Sequence, residues 1–291
     1  MSVALPILMN NKAGLLKSTP GAEEMARMAE LCELECKVIE TSSGSQMRKQ
    51  IMRLVEEKTG CIAVAGGDGT IHEAVQCLAN TDTALGIIPQ GTANNFANAL
   101  RLPQDLPSAL RVLKDGVVRE VDLGKVHGEF FTEAAGVGLF ADALAIYGGA
   151  NKNFFKGIYA LLKILLAMRA SRVKLSIDGE VVHERAVFCA IANSYRMANS
   201  LPVAPEAKVT DGELDVVVLG DLTRGELLPY YKALRAQLHL GLEKTSTGRG
   251  TKIVIESKRR LPLHCDDRIV GTTPATITSH PRALKVLVER L

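Results

Sequence analysis

Apolar and polar positions follow two rhythms along this chain. In the first part, short apolar runs recur at Ser2–Met9, Cys36–Glu40, Cys61–Ala65 and Ala84–Pro89. Such runs fit strands that are covered on both faces. Amphipathic stretches separate them. Thr19 with Pro20 opens a predicted helix to about Glu35, and Ser43 with Gln46 makes a capping box for a helix to Lys58, ended by Gly60. Thr70 with Glu73 has the same spacing and predicts a helix to about Asn80, and Pro107–Lys114 predicts a short one ended by Gly116. Strand–helix alternation of this kind implies a right-handed, mostly parallel, covered sheet.

The rhythm changes near Val117. From there to about Phe140 the pattern is strand-like, with Asp122-Leu-Gly and Gly128 as turn points. Lys174–Ile177, Val181–His183, Ala186–Ala192, Leu214–Val218 and Lys252–Glu256 read as further strands without regular helices between them. That predicts an antiparallel second domain of sandwich type. A helix from Thr223 (a third capping box, with Glu226) to about Leu240 interrupts it, and Leu284–Glu289 is a last strand. The expected fold class is therefore α/β followed by all-β. A first domain covers residues 1–123, with 284–291 able to return to it, and a second covers 124–283.

The chemistry gathers where the first rhythm is broken by glycine. After Cys61–Ala65 come Gly66, Gly67, Asp68, Gly69, Thr70, Ile71, His72 and Glu73. Glycines let the backbone turn sharply and approach a ligand closely. A helix N-terminus behind such a turn attracts anions, usually phosphate. A carboxylate inside the turn, Asp68, suits a bound divalent cation or a proton to be abstracted. The motif lacks the Gly-Lys-Ser/Thr of a Walker A loop, and His72 stands where a dinucleotide fingerprint has its third glycine. An ordinary strand-to-helix turn is the plain alternative. A second turn, Gln90-Gly-Thr-Ala-Asn-Asn-Phe96, follows the next strand, with Thr92 as a candidate cap. Two such turns on neighbouring strands favour one phosphate-binding crevice. Asn10 and Thr41 lie at two other strand ends, where ligands collect in α/β sheets, although an Asx turn and a turn hydroxyl account for them equally.

Composition narrows the picture. Of 291 residues, 47% are hydrophobic and 23% charged, as in a globular protein with a full core. The net charge of +3 is too small to imply nucleic acid. Six cysteines without a CxxC pair fit a reduced, buried role. Met1–Met9 has no basic start and reads as a strand, not a signal peptide, so the cytoplasm is expected. One segment stands apart. Phe154–Met168 is apolar around most of a helical wheel, with a stripe at Lys152, Lys156 and Lys163. It is too short to span a bilayer. It is either a core helix or a surface helix that dips into a membrane or lines an acyl pocket.

Gly66-Gly-Asp-Gly-Thr70 with Glu73, Pro89-Gln-Gly-Thr-Ala-Asn-Asn-Phe-Ala97 and Pro205-Glu-Ala-Lys-Val-Thr-Asp-Gly-Glu-Leu-Asp-Val216 together resemble the bacterial diacylglycerol kinase-like lipid kinases, relatives of sphingosine kinases. The resemblance runs over essentially the whole chain. The first motif is also found in NAD kinases and phosphofructokinases, and the other two point to the lipid-kinase branch. It implies a nucleotide-binding α/β domain of NAD kinase/diacylglycerol kinase type, then a β-sandwich. ATP would contact Asn10, Thr41, Gly66 to Glu73, Gly91, Thr92 and Asn94. A structural Mg2+ would be held by the carbonyls of Lys208 and Glu213 and the Asp211 carboxylate. The implied partners are ATP and a lipid at the inner membrane surface, with peripheral contact through 154–170. A homodimer stays open.

Two positions depart from the family. Its C-terminal Asp-Gly-Glu, whose glutamate is the proposed general base, reads Asp266-Asp267-Arg268 here, so Arg268 takes the glutamate's place. Arginine accepts no proton at neutral pH. Asn95 replaces an aspartate that helps to order a catalytic magnesium. Asp68 and Asp122 remain, and Asp266 or Asp267 is left as a candidate base. The sequence reading is an ATP- and magnesium-dependent kinase acting on a diacylglycerol-like lipid. Its rivals are a kinase of a soluble acceptor such as NAD and a catalytically weak pseudokinase.

Overall fold

The apolar runs of the first part form parallel strands β1 (Leu5–Asn10), β2 (Cys36–Thr41), β3 (Cys61–Gly66) and β4 (Ala84–Pro89), in spatial order β2-β1-β3-β4. The computed structural model describes residues 4–10, 20–147, 170–198 and 200–290. These fall into two compact units, Met1–Leu123 with Pro281–Leu291, and Gly124–His280.

In the first unit the helices alternate with the strands. They are α1 (Ala22–Leu31), α2 (Gly44–Glu56), α3 (Asp68–Leu78), the short α4 (Asn95–Ala99) and α5 (Leu106–Asp115). Helices α1 and α5 pack on one face of the sheet, where Met25, Ala29, Ala109, Leu110 and Leu113 meet Ile7, Met9, Ala63, Ala65 and Ile88. Helices α2 and α3 pack on each other and bring Met47, Ile51, Val75 and Leu78 out of water. A sheet covered on both faces needs strands without an alternating pattern, which is why these runs are apolar throughout.

The second unit is a sandwich. One layer has the order β12 (Thr245–Gly250), β11 (Leu214–Leu219), β10 (Phe188–Ala192), β7 (Ala134–Gly138), β14 (Pro262–Cys265), β15 (Arg268–Thr272), all antiparallel. The other runs β16 (Ala275–Val288), β13 (Lys252–Ser257), β8 (Ser171–Ile177), β9 (Glu180–Ala186). Val137, Ile191, Val216 and Leu263 face Leu175, Ile253 and Ile277 between the layers. The alternate residues of the same strands, Ala190, Val217 and Leu219, pack with Tyr230 and Leu234 of helix α7 (Leu227–Arg235). The period of two therefore buries both faces of this layer.

Several boundaries differ from expectation. Asp122 to Gly124 lie inside β5 (Val117–Val126), not at a turn. Gly124 is needed because its cross-strand partner in β6 (Glu129–Phe131), Phe131, lays its ring over the position a Cβ would take. The actual turn is His127-Gly128, both at positive φ, as a two-residue hairpin loop requires. Helix α6 (Leu139–Tyr147) and strands β12, β14 and β15 go beyond the sequence reading, and β16 begins well before Leu284. The capping box at Ser43 is half present. Ser43 accepts Gln46 N–H, but the Gln46 side chain turns to Ser42. At Thr223 the Glu226 carboxylate does return to the Thr223 N–H and hydroxyl, opening a 3-10 turn that leads into α7. Thr19 and the segment 154–168 lie outside the described residues.

His264 on β14 is wholly buried. Its Nδ1–H donates to the Asp266 carbonyl at 3.2 Å, and Nε2 has no partner. Burial pushes its pKa down to about 4, opposed by the Asp266 carbonyl and charge. An unfolded histidine binds its proton near pH 6.5, so between there and about 4 the unfolded chain holds more protons. Stability is therefore lost as pH falls through that window, by about 2 kcal/mol between pH 7 and pH 5 from this group. Thermal melts of His264→Gln against the unaltered chain should show a shallower loss over that range.

Candidate functional site

The carboxyl ends of the four parallel strands place the glycine motifs side by side. Gly66 ends β3 opposite Pro89 of β4, and Gln90 N–H donates to the Gly66 carbonyl at 2.9 Å. The two corners touch. A Cβ built on Gly67 would stand 2.9 Å from the Gly91 Cα, and one on Gly91 would stand 2.6 Å from the Gly67 Cα. Neither position accepts a side chain without parting the corners. A Cβ on Gly66 would likewise meet the Thr70 side chain, which packs over it. Helix α3 opens here with Gly67 as its N-cap and Asp68 in its first turn. Thr70 and Ile71 N–H both turn back to the Gly67 carbonyl.

Helix α3 thus starts two residues before the cap predicted at Thr70. Glu73 does not close a capping box. It pairs instead with Arg48 of α2. Ile71 and His72 are buried, and the His72 Nε2 lies 3.3 Å from Gln76. Thr41 is buried with its hydroxyl donating to the Met9 carbonyl at 3.1 Å, which ties the ends of β1 and β2 together beside Asn10. Thr92 is exposed and does not cap α4. The cap position belongs to Asn94 in the left-handed conformation. Its Oδ1 accepts Gly91 N–H at 2.8 Å and its Nδ2 donates to the Gly91 carbonyl at 3.1 Å. Asn94 shapes the second corner through these two bonds. Asn95 is buried beside it, and Asp122 is buried with its carboxylate accepting Arg282 N–H at 2.7 Å.

In the sandwich unit, Asp266 is a clamp. Its Oδ1 accepts Glu133 N–H at 2.9 Å and Ala134 N–H at 3.3 Å, and its Oδ2 accepts Thr132 N–H at 3.2 Å. Both oxygens are thereby engaged with the turn between β6 and β7. Arg268 stands 3.6 Å from the Asp267 carboxylate, at the start of β15. Glu133 escaped the sequence reading. It is buried, and its carboxylate accepts Ala198 N–H at 3.1 Å. The available signal was an acid in the otherwise apolar or neutral run Phe131–Val137.

Lys208, Asp211 and Glu213 lie in one turn before β11. The Asp211 Oδ1 accepts Glu213 N–H at 3.2 Å, and Oδ2 faces the Arg249 Nη2 at 3.7 Å. Arg249 also stands 3.6 Å from Glu213 and 3.2 Å from Asp215. Among the described residues no group of three or more His, Cys, Asp or Glu is arranged to hold a metal ion. The carboxylate that the resemblance gives to magnesium thus has the Arg249 guanidinium as its nearest charged partner.

Comparison with known proteins extends these observations. The model for the diacylglycerol kinase catalytic domain matches residues 4–126, and that for the YegS C-terminal NAD kinase beta sandwich-like domain matches residues 135–288. A diacylglycerol kinase of Mycobacterium tuberculosis is 29% identical over 267 residues, covering 87% of this chain and 85% of that one. One from Staphylococcus carnosus is 26% identical over 288 residues, covering 94% and 93%. A solved diacylglycerol kinase structure from Bacillus anthracis superposes with a TM-score of 0.75 at 21% identity, covering 98% of this chain and 97% of that one, a likeness of fold. With both domain models matched in order, an α/β domain followed by a sandwich, the chain belongs to the bacterial diacylglycerol kinase-like family.

Proposed function

We propose that this chain is an ATP-dependent kinase that moves the γ-phosphoryl group to the hydroxyl of a diacylglycerol-like lipid. The observation that carries this reading is the contact of the Gly67 and Gly91 corners at the N-terminus of α3. A corner without side chains lets backbone N–H groups come close to a polyphosphate, and the α3 dipole favours its charge. Asn10 and Thr41 stand on the same edge of the sheet and would flank the nucleotide. Magnesium enters with ATP as part of the substrate and neutralises phosphate charge.

Asp68 is the acidic side chain in the first turn of α3, and it would orient that complex or accept the hydroxyl proton. Asp266 is assigned to the clamp, not to the proton. Phosphoryl transfer depends mainly on positioning and charge stabilisation, so Arg268 in place of the family's glutamate is compatible with turnover. Arg268 would instead hold a phosphate or headgroup. No helix among the described residues is long and apolar enough to cross a membrane. The apolar stretch 154–170, nearly all of it outside the described residues, is the sequence's candidate for meeting the lipid at the inner membrane surface.

The test is transfer of label from γ-labelled ATP into a total lipid extract, with Asp68→Ala as control. A labelled lipid that vanishes with the variant names the acceptor class. Absence of any labelled lipid would sink the reading. The pseudokinase alternative draws on Arg268, the buried Asn95 and the engaged Asp266. Under it, Arg268→Glu with Asn95→Asp should create activity in an inert protein. Under the kinase reading the unaltered chain already turns over, and restoring the base adds at most roughly 10²- to 10⁴-fold.

A further inference from the structure

We propose that Arg249 supplies, from within the chain, the positive charge that relatives of this kind would take from a structural magnesium ion, so that the turn at residues 208–213 folds without metal. The inference rests on the geometry of the sandwich unit and not on the kinase reading. Asp215 of β11 and Arg249 of β12 are direct cross-strand partners. From that position the guanidinium reaches three carboxylates. Its Nη2 lies 3.2 and 3.3 Å from the two oxygens of Asp215 and 3.7 Å from Asp211, and its Nε lies 3.6 Å from Glu213.

A planar guanidinium with five donors suits several acceptors at once, and it never gives up its charge near neutral pH. The turn itself is closed by bonds within the protein. Asp211 takes the Glu213 N–H, and the Gly212 carbonyl takes the Ser279 hydroxyl at 2.8 Å. Magnesium demands six oxygens at close range in near-octahedral array. A guanidinium 3.7 Å from the Asp211 carboxylate already supplies a positive charge there, and it repels a second cation that approaches the same oxygens.

The experiment uses the full chain without nucleotide, so turnover plays no part. Thermal melts in EDTA and in magnesium chloride at matched ionic strength should coincide for the unaltered protein, and manganese, read by water-proton relaxation, should not bind at this turn. Arg249→Met leaves three carboxylates facing one another. It should melt lower in EDTA and regain about 3 °C or more with magnesium, a shift of the size one lost interaction gives in a domain of this length. A melting temperature of the unaltered protein that falls in EDTA would overturn the proposal. So would one manganese bound to it and lost in Asp211→Asn, or an Arg249→Met variant indifferent to metal. If Arg249→Met does not fold, the two measurements on the unaltered chain still decide, and Arg249→Lys should remain metal-independent.

Discussion

Asp68→Asn is expected to lower phosphoryl transfer by roughly 10²- to 10⁴-fold while ATP still binds. The substitution keeps the size and planarity of the side chain and removes only its charge. The corner's geometry rests on glycines and on the Gly67 carbonyl, which accepts Thr70 and Ile71 N–H, so the backbone seat should persist. What is lost is the negative charge in the first turn of α3. An anion there opposes the nucleotide in the ground state unless it is used, to order the metal that arrives with ATP or to take the acceptor's proton. Equal losses in kcat and kcat/KM with an unchanged Kd for ATP would place Asp68 in the transition state. Unchanged turnover would remove it from the chemistry.

Gly91→Ala is expected to abolish useful nucleotide binding, by about 10²-fold or more in kcat/KM, because its Cβ forces the two corners apart by close to 1 Å. That Cβ would meet the Gly67 Cα at 2.6 Å and the Asn94 Oδ1 at 2.7 Å, both held in place by the backbone or by paired hydrogen bonds. Neither neighbour is the free end of a flexible chain, so the strain falls on the corner. Gly60→Ala is the matching control, since nothing lies within 4 Å of a Cβ there. Binding of ATP by calorimetry should fall steeply for the first and stay level for the second. A Gly91→Ala chain that binds ATP normally would show that the second corner is not part of the nucleotide seat.

Asp68 and Gly91 both lie in motifs that the sequence alone displays. The apolar runs before Gly66 and Gln90 are strands because both faces of the sheet are covered, and a covered strand declares itself by lacking polar positions. The contact between the corners was implied by neighbouring strands but not measurable from them. Side-chain commitments were harder to read, because they are settled by distant residues. Glu73 has capping-box spacing from Thr70, yet Arg48, on another helix, draws it away. Asn94 takes the cap at α4 through a left-handed backbone that local composition did not announce.

The sandwich unit hid more. Asp266 is clamped to Thr132, Glu133 and Ala134, more than 130 residues earlier, through the pairing of β7 with β14. No spacing rule reaches that far. Strand β16 starts nine residues before the predicted Leu284, and in its first half buried Ala275 and Ile277 alternate with Thr276 and Thr278. Arg249 carries no local signal either. It sits between two glycines, Gly248 and Gly250, and only its register opposite Asp215 reveals the carboxylates around it.

The most direct test sets two acceptors side by side. Purified protein with γ-labelled MgATP is offered dispersed diacylglycerol in one reaction and NAD in another, each with Asp68→Asn alongside. The account predicts label in a phosphorylated lipid, none in NADP, and loss of the lipid signal with the variant. Label in NADP, or a lipid signal that survives Asp68→Asn, would contradict it.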